Sequence, residues 1–209
     1  MIASTPSYKY LGLILDPLLD FKHHLGTLKR NVRHKIYLYN RIKYNLTEKA
    51  AVKVVKSMLL PVVDYCDVFY SVANKHHLRG IQTLVHRALR IAYRMKGIDS
   101  RMALHRKARL NSLKDRRQMH VLKLSFEKSL HEENLVLARL RTRRHDQRLL
   151  IQPRAKNPIY ANSLYYRLAS SWNNLHVDVR TIEVKSGFTR WIRTHYDELI
   201  DAYNDQTWI

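Results

Sequence analysis

One cysteine, five glycines and five prolines in 209 residues leave little of what small or turn-rich folds depend on. Cys66, alone, can form no internal disulfide and no cysteine-based zinc cluster. So little Gly and Pro argues against an all-β chain with many tight turns. The longest apolar runs, residues 11–15 and 58–63, fall far short of the ~18 residues of a membrane-spanning helix. No basic stretch followed by an apolar one opens the chain, so the expectation is a protein that is not secreted, intracellular, nuclear or cytoplasmic. The Asn45-Leu46-Thr47 sequon would then stay idle. Acids are scarce as well, 17 against 38 lysines and arginines, for a net charge of +21.

What is present is apolar and basic. Hydrophobic residues make up 45% of the chain, too many for a disordered tail, and the expectation is a folded, mainly α protein. Residues 1–150 hold 31 Lys/Arg and 11 Asp/Glu, whereas residues 151–209 hold 7 and 6. An excess of one sign in one segment repels itself unless a polyanion neutralises it, and nucleic acid releases counterions when Lys and Arg replace them. An anionic membrane would need a helix with an uncovered apolar face. Nucleic acid is the expected partner, with no membrane and no small-molecule substrate.

Hydrophobic periodicity organises the chain. Residues 8–15 read as one strand, closed by Asp16-Pro17. The steps of three and four from Phe21 through Leu25, Leu28, Val32, Ile36 and Tyr39 to Ile42 predict a helix over 20–44. Lys22, Lys29, Arg30, Arg33, Lys35, Arg41 and Lys43 give it a cationic face. Asn45 or Thr47 caps a second helix, which Pro61 is expected to interrupt. Tyr65, Phe69 and Tyr70 are candidate core. Asn74 caps a helix over 74–96 that Gly97 stops, with Leu78, Ile81, Val85, Leu89 and Ala92 buried. Its cations Lys75, Arg79, Arg87, Arg90, Arg94 and Lys96 meet no acid within it. A short helix at 101–110 follows, then one from Ser112 to Glu133, a basic linker at 141–162, and two helices at 163–175 and 184–201.

Catalytic constellations are missing from this pattern. The five glycines stand alone, without a phosphate loop, and neither a Gly-x-Ser-x-Gly elbow nor a His-Glu-x-x-His helix occurs. Adjacent histidines such as His23-His24 and His76-His77 diverge by about 100° on a helix and cannot readily share a metal, so exposed surface is expected of them. Asp64 and Asp67 would share one helix face, where capping or ion pairing is expected rather than catalysis. Cys66 lacks an activating neighbour and reads as a small buried hydrophobe.

Four segments, in order, resemble a known family. Tyr8-Lys9-Tyr10-Leu11-Gly12, with Asp16, Leu19, Phe21 and His24, is similar to the "YLG…D…L.F..H" stretch of non-LTR (LINE-type) retrotransposon reverse transcriptases. Residues 58–66 resemble that family's "P.l.Y" junction and residues 84–91 its "lq+Ralr.i" helix. Tyr166-Arg167, Trp172-Asn173-Asn174-Leu175 and Phe188 resemble its closing "WN.L" signature. His176 stands where the family usually has proline, which is expected to loosen that turn. The family's Phe/Tyr-x-Asp-Asp motif would precede Tyr8, and no such tetrapeptide occurs in the 209 residues.

The resemblance implies the thumb and post-thumb part of such an enzyme. Residues 1–17 would be a palm remnant, with Tyr8, Lys9, Tyr10, Leu11 and Gly12 primer-grip-like. Residues 18–140 would form a thumb-like basic helical bundle, 141–162 a basic linker, and 163–209 a smaller helical region. Expected phosphate contacts are Lys22, Lys29, Arg30, Arg33, Lys35, Arg79, Arg87, Arg90 and Arg94, giving sequence-tolerant binding of RNA, DNA or hybrid duplex. The chain is not expected to be an enzyme alone. It would need no cofactor, since Mg²⁺ would belong to the palm upstream in the parent polyprotein. The alternatives are a decayed or mispredicted transposon fragment, suggested by a strand with no partner, and a domesticated protein-interaction module using Trp172, Trp191 and Trp208. Core placement is the competing reading of those tryptophans.

Overall fold

Residues 8–15, expected as one strand without a partner, fold back on themselves. Strand β1 (Tyr8–Tyr10) pairs antiparallel with β2 (Leu13–Leu15), Tyr8 opposite Leu15 and Tyr10 opposite Leu13. Leu11 and Gly12 form the two-residue turn, both at positive φ, 44° and 86°, the twist that a tight hairpin favours. The strand therefore has a partner, so the partnerless strand that suggested a decayed fragment is not what folds here. The Tyr65 hydroxyl donates to the Leu11 carbonyl, and a Cβ on Gly12 would lie 3.2 Å from the Tyr65 ring. Positive φ and this close ring both demand glycine. Gly12→Val should destabilise the hairpin by about 1–2 kcal/mol, seen as faster hydrogen exchange of its amides. Unchanged protection would show that the turn tolerates a side chain.

The computed structural model describes residues 5–95, 100–130, 148–152, 154 and 158–201. It is mainly α, as composition and periodicity indicate, and divides into two units, 1–113 with 200–209 and 114–199. Asp16 shapes the entry to the first helix: its carboxylate accepts from the Asp20 and Phe21 amides, each at 2.9 Å. Helix α1 (Lys22–Ile42) then buries Leu25, Leu28, Val32, Ile36 and Tyr39. After a 3-10 turn (Lys43–Asn45), α2 (Glu48–Asp64) starts at Thr47, whose hydroxyl accepts from the Ala50 amide. A short α3 (Asp67–Tyr70) leads to α4 (Lys75–Ala92), capped by Asn74, whose side chain accepts from the His76 amide. Then comes α5 (Arg101–Ala108).

Helices α1, α2 and α4 enclose one core, to which α4 contributes Leu78, Ile81, Val85, Leu89 and Ala92, as its periodicity required. Each of the four larger side chains contributes roughly 1.5–3 kcal/mol by leaving water. Arg94 donates to the carbonyls of Leu46 (3.0 Å) and Lys43 (3.5 Å), while Lys29 lies over Gly80. The end of α1 thus meets the end of α4, its middle meets the start of α4, and the two helices run in the same direction.

Several local expectations give way to this packing. Pro61 does not interrupt α2, which continues to Asp64. The proline removes one hydrogen-bond donor near the end, and burial of Leu59 and Val63 on either side outweighs that loss. Tyr70 is core, but Tyr65 and Phe69 are about half exposed, because Cys66 at φ 57° reverses the chain between them. Asp64 ends α2 and Asp67 opens α3, yet their carboxylates stay together, within 4.8 Å of each other. His24 is buried beside Tyr70 (ring centroids 5.4 Å) rather than exposed, and its Nδ1 accepts from the Ile14 amide at 3.4 Å. Helix α4 ends at Ala92, earlier than expected, since Arg94 adopts φ 53°. The foreseen stop at Gly97 lies outside the described residues, as does half of the 141–162 linker.

The second unit holds α6 (Leu113–Leu130) from residue 114 on, α7 (Pro158–Ala161), α8 (Leu164–Asn173), α9 (Val177–Arg180) and most of α10 (Lys185–Asp201). Phe126 and Phe188 stack at 4.3 Å, with Trp172 tilted against both. The "WN.L" segment has a mechanical role here. The Trp172 indole donates to the Arg148 carbonyl at 2.6 Å, and the Asn173 amide exchanges two 2.9 Å hydrogen bonds with the Leu150 backbone. His176 does not loosen the turn. It sits at φ −60°, a value proline would also hold, and its ring accepts from the Asp178 amide to cap α9.

Candidate nucleic-acid interface

The basic surface is built on the side of α4 that faces away from its core. Arg79, Thr83, Arg87 and Arg90 follow one another at steps of four, four and three, which places them along one line of the helix, and Arg94 lies just beyond its end at φ 53°. Arg79, Arg87 and Arg94 are exposed and Arg90 is half-buried. The Thr83 hydroxyl donates back to the Arg79 carbonyl at 3.0 Å, leaving the arginines as the chemically active groups of the line. A groove of about 860 Å³ runs over its second half. Arg87, Arg90 and Arg94 form its floor, Lys43 and Tyr44 enter from the end of α1, and Arg101 enters from α5.

The electrostatics of this groove show in His86, which also lines it. Burial, then the positive charges of Arg101 and Arg90, push its pKa down to about 4. Its ring stacks on that of His105 at 6.2 Å, nearly parallel, and His105 is likewise held near 4, chiefly by burial. His105 is locked by partners. Its Nδ1 donates to the Leu110 carbonyl at 2.9 Å, so its Nε2 must accept from the Gln82 amide at 3.3 Å, while Gln82 Oε1 accepts from the Leu113 amide at 2.8 Å. A neutral imidazole satisfies this chain, and a protonated one would set donor against donor.

A second basic cluster lies at the other end of the bundle. Lys22, Lys29 and Arg33 share the edge of α1 that borders the first turns of α4. Gly80 leaves room there for the Lys29 side chain, since a Cβ at that position would lie 2.7 Å from Nζ. Burial and the neighbouring Arg33 lower the Lys29 pKa. Burial together with Lys29, His76 and Lys22 lowers that of His77, overcoming an opposing effect of Asp20.

The nine cations chosen from sequence therefore separate. Arg87, Arg90 and Arg94 meet in the groove, with Arg79 one turn beyond it on the same line. Lys22, Lys29 and Arg33 form the second cluster. Arg30 and Lys35 leave that edge, turned by about 100° and about 120° around α1 from Lys29. Arg94 also caps the end of α1, a role its sequence position did not reveal. The hairpin residues Tyr8, Lys9, Tyr10, Leu11 and Gly12 are exposed and sit near the start of α1. The groove lies at its other end, about 30 Å along a helix of this length. Tyr44, His86 and Arg101 were not singled out, because they reach the groove from separate elements. Burial raises the Cys66 thiol above its ordinary value, which argues against a reactive thiolate.

No protein-family model and no solved structure matches the chain. It is similar to the RNA-directed DNA polymerase from mobile element jockey of Drosophila funebris, 35% identical over 95 residues, which is 43% of this chain and 10% of that protein. The jockey enzyme of Drosophila melanogaster is 31% identical over 93 residues, with the same coverage. The probable RNA-directed DNA polymerase from transposon X-element of Drosophila melanogaster is 26% identical over 140 residues, 65% of this chain and 15% of that protein. The matched regions span only 10 to 15% of these relatives. Similarity of this kind is consistent with part of a non-LTR (LINE-type) reverse transcriptase. Among the described residues, no helix is long and apolar enough to cross a membrane.

Proposed function

We propose that the chain is the thumb side of an RNA-directed DNA polymerase of a non-LTR element, and that it holds RNA or RNA/DNA duplex through the basic surface of α4 and α1. The line of Arg79, Arg87 and Arg90 on a helix that carries no acid, with Arg94 just past its end, is the observation that supports this most directly. Such a line contacts phosphates without reading bases, which suits an enzyme that must copy any sequence. The α4 arginines and the Lys22 cluster would engage one duplex at two places. Polymerisation would be the activity of the whole enzyme, with Mg²⁺ held by its palm.

The test is binding by fluorescence anisotropy over a salt series. Affinity for a blunt RNA duplex should fall by roughly 10³–10⁵ between about 50 and 200 mM salt if six to ten phosphates are contacted. Arg87→Ala and Arg90→Ala should each reduce the salt slope by about one, with little change in sequence preference. A wild-type chain that ignores duplex at low salt would remove the proposal, and an unchanged slope in the double variant would remove α4 from it.

A further inference from the structure

A grip on duplex phosphates needs cations, but the groove also presents an aromatic face. Tyr44, in the 3-10 turn after α1, is 73% exposed, and the Lys43 ammonium lies 4.8 Å from its ring centroid. It shares the groove with Arg87 and Arg101. The bases of a duplex are already stacked on one another and offer no face to a tyrosine. An unpaired base does, and single-strand sites characteristically combine a cationic channel with such a ring. A second observation lies beneath. His86 is only 8% exposed and lines the groove, and its Nδ1 has no hydrogen-bond partner. A buried polar atom left unmatched is costly, and a sugar hydroxyl or phosphate in the groove could satisfy it.

We infer that this groove takes an unpaired nucleotide, whose base stacks on Tyr44 while the adjoining phosphates lie against Arg87 and Arg101. The inference rests on the nucleic-acid binding proposed above and narrows it: the α4 line holds duplex, and its groove end holds the single strand that emerges from it. Tyr37, two turns earlier on α1 and also exposed, is not needed for this arrangement. Stacking is tolerant of sequence, so the site would not conflict with a polymerase's indifference to template.

The 209-residue chain is titrated with a uridine homopolymer and with a blunt RNA duplex of equal phosphate count. Tyr44→Ala should weaken the single strand roughly 5- to 150-fold, the worth of one stacked base, and leave the blunt duplex unchanged. Tyr44→Phe should keep wild-type affinity for both, since the ring and not the hydroxyl is used. Arg101→Ala should weaken the single strand and lower its salt slope. Because Tyr44 is exposed, its replacement leaves the core intact, which a thermal melt of each variant verifies. Equal weakening of both probes by Tyr44→Ala, or none for the homopolymer, would overturn the inference. Duplex binding without homopolymer binding in the wild type would overturn it and spare the parent proposal, whereas binding of neither probe would overturn both.

Discussion

Lowering the pH from about 7 to about 4.5 should destabilise the first unit by about 2–4 kcal/mol through His86 and His105. In the unfolded chain both would titrate near their ordinary value of 6.5, whereas in the fold both are held down to about 4. Between these values the unfolded chain binds more protons, so acid favours it. The contribution is complete above about pH 6.5 and is lost as pH falls toward the folded values. The two sites are stacked and influence each other, so their effects are less than additive. The fixed donor pattern around His105 supplies a reason independent of burial, because a proton on Nε2 would oppose the Gln82 amide. Hydrogen exchange of α4 amides across this range measures the loss directly. A flat profile would mean that the pair is protonated or solvated in the fold, contrary to its packing.

Trp172→Ala should cost the second unit about 3–5 kcal/mol. The side chain is fully buried, tilted on Phe126 at 6.2 Å and on Phe188 at 5.7 Å. Its removal leaves a cavity beside the Phe126–Phe188 stack and an unpaired Arg148 carbonyl. Trp191, half-buried and stacked on Phe188 at 5.9 Å and on His195 at 5.2 Å, should cost clearly less when cut to Ala. Denaturant unfolding of the two variants compares them. A Trp172→Ala loss below about 1 kcal/mol would contradict its place in the core. Of the tryptophans once open to a role as partner anchors, Trp172 is core and Trp208 lies outside the described residues.

Helices α1, α2, α4, α5, α6, α8 and α10 were each foreseen, and the buried stripe of α4 was foreseen residue by residue. Their apolar spacing and caps are local, and a helix face is decided by steps of three and four. The short α9 was not foreseen, since four residues carry no period. The acid-free row of arginines was visible for the same local reason, and so was the likeness of residues 8–12 and 172–175 to a polymerase family.

Properties that depend on distant neighbours were not legible. Pro61 stays helical, and Tyr65 leaves the core to brace the Leu11–Gly12 turn that makes a hairpin of one apparent strand. His24 looked like surface until the hairpin and Tyr70 covered it. Within the interface, the sequence by itself determined that Arg79, Arg87 and Arg90 share a line, because helical geometry alone requires it. Only the tertiary structure decided that Arg94 beyond the helix end, Lys43 and Tyr44 from the turn after α1, and Arg101 from α5 meet that line. Their approach is set by the packing of α1 and α5 on α4, and no local propensity encodes contacts between residues so far apart in the chain.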